Sequence, residues 1–594
     1  MQKGLIIHIK NIQMKKIIIL FSAALFLLVS CEKTFLELND LDSLTETVYF
    51  DTPQDFEDAA NNFYRGLHSH GSVDGNGYDM ITDFGTDYNG YIQNYGQGTN
   101  TIENDDIYWN NGHTYIRETN VLLDKAKEYP GEPSDISEYV AVAYFFRAWQ
   151  HFSLLQRFGG FPIVNETTTI DSEILFAPRN SRYEVVAQIL EDLELAIPDL
   201  PETAIGADTG KISKYAAIAF KARVLLYEGT WEKYVGTTTD FEGSGTGNNS
   251  DSYIAEAVTA AKLVIDNSNY EIWNYNDELD NLSYRWLFVL EDAASNPGGF
   301  TKASNKEFII QSIYDFELRR PGGQFQHVTN ARNSPSQKAL DLFVSLDGLP
   351  IAKSSLFQGY TKQSDQFKNR DFRMWSYFGG DLPADGSLRI DPVSSDAKVN
   401  LHCEKFRPYN YPVYRGQGQE SFNYPNLRYA EVLLTYAEAL YERDGFISDE
   451  DLDLSVNILR ERGKVAPLTN ILVNTHGLDM LQEIRRERSV ELYMENNNHW
   501  NDLKRWAIAE QELADDLIGF VIEGSEYETN TSLFDPTIAI FGYKDDYPSG
   551  NGPVKALIVD PKSARLFSRK NYLWPIPSSQ IQINPKLKQN PGWE

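Results

Sequence analysis

The stretch Val142-Ala143-Tyr144-Phe145-Phe146-Arg147-Ala148-Trp149-Gln150-His151-Phe152 sets Val142, Phe145, Trp149 and Phe152 three, four and three residues apart. That spacing puts the four on one face of an α-helix, and the pattern predicts a helix from about Ser134 to Phe158. An apolar stripe of this kind faces a core. The same spacing follows Pro425, where Ala430, Leu433, Ala437 and Leu440 recur. Further helical patterns cover Gln54–Leu67, Tyr115–Glu128, Arg182–Leu195, Ser213–Tyr227, Ser252–Ile265, Asp451–Arg462 and Leu478–Ala509.

Small residues alternate with aromatics on these helices as they do in tetratricopeptide packing, although no clean 34-residue period is present. The fold expected is mainly α: degenerate tetratricopeptide-like helical pairs with a loop-rich subregion and a few short strands. The irregular segments are Gly71–Asn111, Gly236–Ser252, Asn274–Asn333, Ser345–Tyr424 and Gly519–Trp593. Long irregular segments in a packed chain are commonly functional. Glu307-Phe308-Ile309-Ile310-Gln311-Ser312-Ile313 reads as a strand within one of them. No linker divides the chain, so residues 31–594 are expected to form one domain.

Asp and Glu number 85 against 54 Lys and Arg, a net charge of −31 over 594 residues. Such a field repels nucleic acid, and no basic patch in the sequence offsets it. Ile17–Val29 is apolar but shorter than the ~20 residues of a membrane-spanning helix. With Lys15 and Lys16 before it and Leu28-Val29-Ser30-Cys31 after it, the run reads as a signal peptide over residues 1–30. Met14 then reads as the true start, leaving 1–13 upstream of it. The ending resembles a bacterial lipobox, which implies cleavage before Cys31 and lipidation of that residue. Loss of the four lysines of residues 1–30 would take the charge from −31 to −35. Cys403 reads as a small buried hydrophobe.

Phe146-Arg147-Ala148-Trp149 followed by Arg157-Phe158-Gly159-Gly160-Phe161-Pro162-Ile163-Val164 resembles the SusD/RagB family of Bacteroidetes outer-membrane lipoproteins. Gly210-Lys211-Ile212-Ser213-Lys214-Tyr215-Ala216-Ala217 is similar to a helix entry of that family, and Leu427–Leu434 with Ala437-Glu438-Ala439 to its most recognisable helix. Arg485–Arg488, Glu491-Leu492, Trp500–Trp506, Tyr572–Pro577 and Gln589–Trp593 follow in family order. The resemblance implies a lipid-anchored protein exposed on the outer membrane, seated as a lid on a SusC-like TonB-dependent transporter. It implies oligosaccharide or, in some branches, peptide ligands, without naming which.

Glu487, Glu491 and Glu495, at i, i+4 and i+8 beside Arg485, Arg486 and Arg488, offer carboxylates to a glycosidase, which needs two of them about 5–10 Å apart. They read better as a helix-face ion-pair network that positions the scaffold. The chain is therefore expected not to be an enzyme, with a surface glycoside hydrolase as the less favoured alternative and a peptide-binding relative as the nearer one. Gly206–Lys211 lacks phosphate-loop spacing. His68-Ser69-His70 reads as a solvated helix end rather than a metal site. Asp83–Asn89 could hold a structural calcium but lacks EF-hand spacing, so the metal question stays open and no cofactor is expected.

Aromatics are 13% of the chain, and sugar rings lie on Trp and Tyr faces while amides and arginines bond their hydroxyls. Tyr78, Tyr88, Tyr91, Tyr95, Tyr108 and Trp109 lie among Asp83, Asp87, Asn94 and Asn111. In the family, ligand contacts come from loops here and after the Glu307 strand. The expected contact set is Tyr91, Trp109, Asn111, Phe325, Gln326, His327 and Arg332, with Trp273 or Trp286 as substitutes for the stacking role.

Overall fold

The structure is a computed structural model that describes residues 50–70, 77–87, 92–169, 171–204, 209–320, 333–379, 403, 405–406, 420–529, 539–545 and 552–594. Its frame is helical: α1 Pro53–Phe63, α2 Ile107–Ala126, α3 Ser137–Phe158, α4 Arg182–Ala196, α5 Lys214–Tyr234, α6 Ser250–Asn267, α7 Tyr429–Asp444, α8 Val456–Arg462, α9 Met480–Glu491 and α10 Asn498–Arg505. Local chemistry sets the ends. Pro53 opens α1 behind a Thr52/Asp55 capping box, and Ser181 with Glu184 opens α4 in the same way. Helix α3 stops at Gly159, whose φ of 74° and ψ of −141° suit glycine, and α7 stops at Gly445 in the left-handed region.

Sequential pairing organises the layers. Helix α3 packs between α2 and α4, α5 packs on α6, and α6 in turn meets α7, which also contacts α9. The stripe of Val142, Phe145, Trp149 and Phe152 is buried, and Trp149 and Phe145 meet Phe220 of α5 at 4.8 and 5.6 Å between rings. Burying each such side chain is worth about 1.5–3 kcal/mol. Gly160 beside the helix end packs so closely that a Cβ there would sit 2.1 Å from the Asn180 carbonyl oxygen.

The strands are few and short. Strand β1 Gly85–Asp87 pairs antiparallel with β3 Asn333–Pro335, and β2 Phe308–Ser312, close to the strand expected from the sequence, pairs with β4 Tyr424–Arg428. A third sheet orders β5 Leu517–Val521, β7 Val554–Asp560 and β6 Ile540–Lys544 side by side. A second core of aromatic residues gathers around β2 and β4, and Cys403 lies within it, fully buried as the sequence implies.

Two expected helices are broken, for different reasons. Asp451–Arg462 divides into Asp449–Asp453 and α8, where the Ser455 hydroxyl donates to the Asp451 carbonyl at 2.5 Å and competes with the helical bond. Leu478–Ala509 divides after Glu491. Met494, Asn496 and Asn497 take positive φ there, a conformation Asn tolerates, and the detour turns Glu495 inward.

A candidate ligand-binding cleft

Asp106 begins the site. Its Oδ1 accepts the N–H groups of Tyr108 and Trp109 at 2.8 and 3.2 Å, which starts α2 earlier than the apolar spacing alone indicates. Its Oδ2 accepts from Arg157 Nη2 on α3 at 3.1 Å. Arg157 also donates to the Tyr78 hydroxyl at 2.7 Å, and its guanidinium lies 3.9 Å over the Tyr108 ring and 4.4 Å over the Trp574 ring. Each such cation–π contact contributes about 0.5–2 kcal/mol.

From the opposite side come α10 and the turn before it. Trp500 stacks on Tyr78 at 5.5 Å, and its backbone N–H donates to Asp79 Oδ1 at 2.9 Å. Lys504, one turn along, lies 5.4 Å from the Trp500 ring and 5.5 Å from the Trp574 ring. Together these walls enclose a cleft of about 180 Å³ that Asn111, Tyr115, Gln150, Gln156, Asn496 and Asn501 also line. Asn111 is exposed at its edge, and Tyr108 and Tyr115 are half-buried. Arg65, Arg157 and Lys504 are its only charged lining groups among the described residues.

Of the contact residues expected from the sequence, the structure places two. Asn111 lines the cleft. Trp109 does not belong to a loop, which corrects that expectation: it lies in the first turn of α2, 5% exposed, edge-on to Phe158 at 5.1 Å. Neither face is free to carry a sugar. Tyr91, Phe325, Gln326, His327 and Arg332 fall outside the described residues, as do Cys31 and the proposed signal peptide. Trp273 and Trp286 are buried in the second core. A neighbouring cleft of about 200 Å³, lined by Tyr64, Lys211, Gln311, Ser312 and Arg319, lies beside β2, and Leu67 lines both clefts.

The sequence reading missed Arg157 and Lys504 as site residues. Both stand in stretches noted for other reasons, and only the packing of α10 near the end of α3 brings them together across 347 positions. The histidine pair is also corrected. His68 Nδ1 meets Asn496 Oδ1 at 3.2 Å and His70 is buried, so neither is a solvated helix end. Burial pushes their pKa values down to about 4 and about 3.

The carboxylate ladder is an ion-pair network, but its partners are not those nearest in sequence. Arg485, Arg486 and Arg488 turn to Glu442, Glu483 and Asp502. Glu487 binds Arg373 and Arg460, Glu491 binds Arg373, Arg428 and Arg462, and Glu495 binds Lys405 and Arg428. Burial raises the Glu491 pKa, yet Arg462, Arg428 and Arg373 outweigh it and hold the value down to about 2. A carboxylate so fixed has no proton to give at neutral pH. Asp83 is engaged by Lys338 and by His499, each at 2.7 Å, and among the described residues no group of three acids, histidines or cysteines is placed to hold a metal ion.

Comparison with known proteins agrees with this architecture. Residues 389–593 match the model of the SusD family, and residues 34–226 match a model described as starch-binding associating with outer membrane. SusD-like protein P2 of Formosa agariphila is 26% identical over 83% of this chain and 91% of its own length. A SusD-like protein of Bacteroides ovatus is 22% identical over 84% and 83%. The crystal structure of a SusD-like carbohydrate binding protein of Bacteroides fragilis superposes with a TM-score of 0.69 at 24% identity, covering 91% of this chain and 99% of that one. A laminarin binding SusD-like protein superposes at 0.59, with 19% identity, over 91% and 100%. Both ends of the helical frame are thus similar to SusD-type family models, and the fold is the one seen in SusD-like proteins.

Proposed function

We propose that the protein is a cell-surface lipoprotein that captures oligosaccharides and delivers them to a SusC-like TonB-dependent transporter. The observation that carries this reading is the cleft itself: half-buried tyrosines beside amide side chains, with no carboxylate in its lining among the described residues to serve as acid or base. Relatives named for carbohydrate and laminarin binding support the ligand class. Asn111 would bond ring hydroxyls, and Tyr108 and Tyr115 take the stacking role expected of Trp109. Tyr91, Phe325, Gln326, His327 and Arg332 remain the further contact residues proposed from the sequence. No metal or other cofactor enters the proposal.

Purified protein should therefore bind a cognate oligosaccharide without consuming it. Tyr115→Ala should weaken binding by a factor of about thirty, the ~2 kcal/mol of a central aromatic. Calorimetry and product chromatography check both. Release of smaller sugars above a buffer control would convert the reading to a hydrolase, and binding of peptides in place of sugars would convert it to the peptide branch.

The anchor is a separate claim. Cys31→Ala should abolish radiolabelled fatty-acid incorporation and move the protein from the detergent phase to the aqueous phase, and unchanged partitioning would refute lipidation at this residue.

A further inference from the structure

Lys504 is 1% exposed, and its ammonium has one hydrogen-bond partner among the described residues, the Gln156 carbonyl oxygen at a long 3.5 Å. Among the described residues no carboxylate pairs with it. The other two cations of the cleft are matched, Arg157 by Asp106 and Arg65 by Glu118. Buried lysines are rare unless paired. The two indoles that flank the ammonium are also donors in want of an acceptor: Trp500 Nε1 and Trp574 Nε1 are buried without a hydrogen-bond partner among the described residues. One cleft is thus lined by a buried lysine and by two indoles whose N–H groups are unmatched among the described residues, in a chain whose acids outnumber its bases 85 to 54.

These groups share one requirement, an oxygen-rich negative acceptor. A neutral hydroxyl would satisfy one donor and leave the charge unmatched, whereas a carboxylate or sulfate offers several acceptor lone pairs and the opposite charge. We propose that this cleft seats an anionic substituent of the saccharide, a uronate carboxylate or a sulfate ester, on Lys504 and the Trp500 and Trp574 N–H groups. The proposal rests on the glycan-binding reading above and narrows it to acidic glycans. Burial, with Arg157 and Arg182 nearby, pushes the Lys504 pKa well down, a strain that an incoming anion relieves.

The test compares three probes of equal length by calorimetry: an oligogalacturonide trimer, a sulfated galactan trimer and neutral cellotriose. One or both acidic probes should bind at least tenfold tighter than cellotriose, and the arm that binds names the substituent. Lys504→Met should remove that preference. Because this variant could alter folding, Gln156→Glu provides an independent check by placing a carboxylate on the cleft lining next to the lysine. It should preserve or raise the melting temperature while weakening the acidic probe at least tenfold. Cellotriose binding as tightly as both acidic probes would overturn the proposal and leave saccharide capture standing. Acidic-probe affinity unchanged in folded Lys504→Met would overturn it as well. If no saccharide binds and a casein hydrolysate does, the glycan reading falls with it.

Discussion

Glu491→Ala is expected to abolish stable folding or to lower the melting temperature by about 3 °C or more. The carboxylate is fully buried and is shared by Arg373 at 3.0 Å, Arg428 at 3.0 Å and Arg462 at 2.5 Å. Each guanidinium has a second carboxylate: Arg373 has Asp371, and Arg428 and Arg462 share Glu307. Removing Glu491 therefore deletes one negative charge from a buried cluster and leaves its guanidinium groups under-matched. Breaking a buried pair by deleting one partner costs about 3–5 kcal/mol. Against a total stability of about 5–15 kcal/mol, that is a large fraction. The Gln variant keeps the shape and one acceptor and should lose less. Thermal melts by circular dichroism decide the matter, and an alanine variant melting with the parent would show the cluster to be energetically idle.

Acid should unfold the protein well before most carboxylates are protonated. Burial holds His70 and His151 down to about 3, while histidine in an unfolded chain titrates near 6.5. The unfolded state binds protons that the folded state refuses, so the contribution of these groups is complete above pH 6.5 and is lost as pH falls toward 3. Asp79 acts in the opposite sense. Burial raises its pKa to about 7, so the folded state keeps a proton that the unfolded state has released, and the stability due to it is present below pH 4 and lost by pH 7. With His68, held down to about 4, three histidines stand against one aspartate and leave a net uptake of about two protons on unfolding near pH 5. The resulting slope is about 3 kcal/mol per pH unit at its steepest, stability rising with pH. Urea midpoints between pH 4 and 6.5 measure it. Asp79→Asn should steepen the slope and His151→Phe should flatten it, and a parent slope of zero or negative sign would contradict the assignment.

Much of the helical frame was legible because its signal is local. Val142, Phe145, Trp149 and Phe152 report their shared face through spacing alone, and Ser181 with Glu184 announces a helix start within four residues. What spacing cannot report is a competing long-range contact. The run from Leu478 to Ala509 is periodic enough to read as one helix, but Glu495 is claimed by Lys405 and Arg428, and the backbone leaves the helix to deliver it. Trp109 failed for a related reason. Its neighbours Gly, Asn and Asp look like loop, while the Asp106 carboxylate that starts the helix gains its second partner, Arg157, from 51 residues away. The cleft was least legible of all, since Lys504 resembles any surface lysine until the fold buries it between two indoles.

The cluster of Glu307, Arg428, Arg462 and Glu491 also constrains the order in which the chain can mature. Its members span 185 positions, so a chain emerging from the ribosome carries Glu307 long before its counter-charges exist. The earlier helices can pair locally as they appear, because α2, α3 and α4 contact sequence neighbours. Closure of the β2 and β4 region must wait for the segment through residue 491. A chain cut short before that point would hold Arg428 without two of its three acids and Arg462 without one of its two. The cluster can therefore close only once the segment through residue 491 is present.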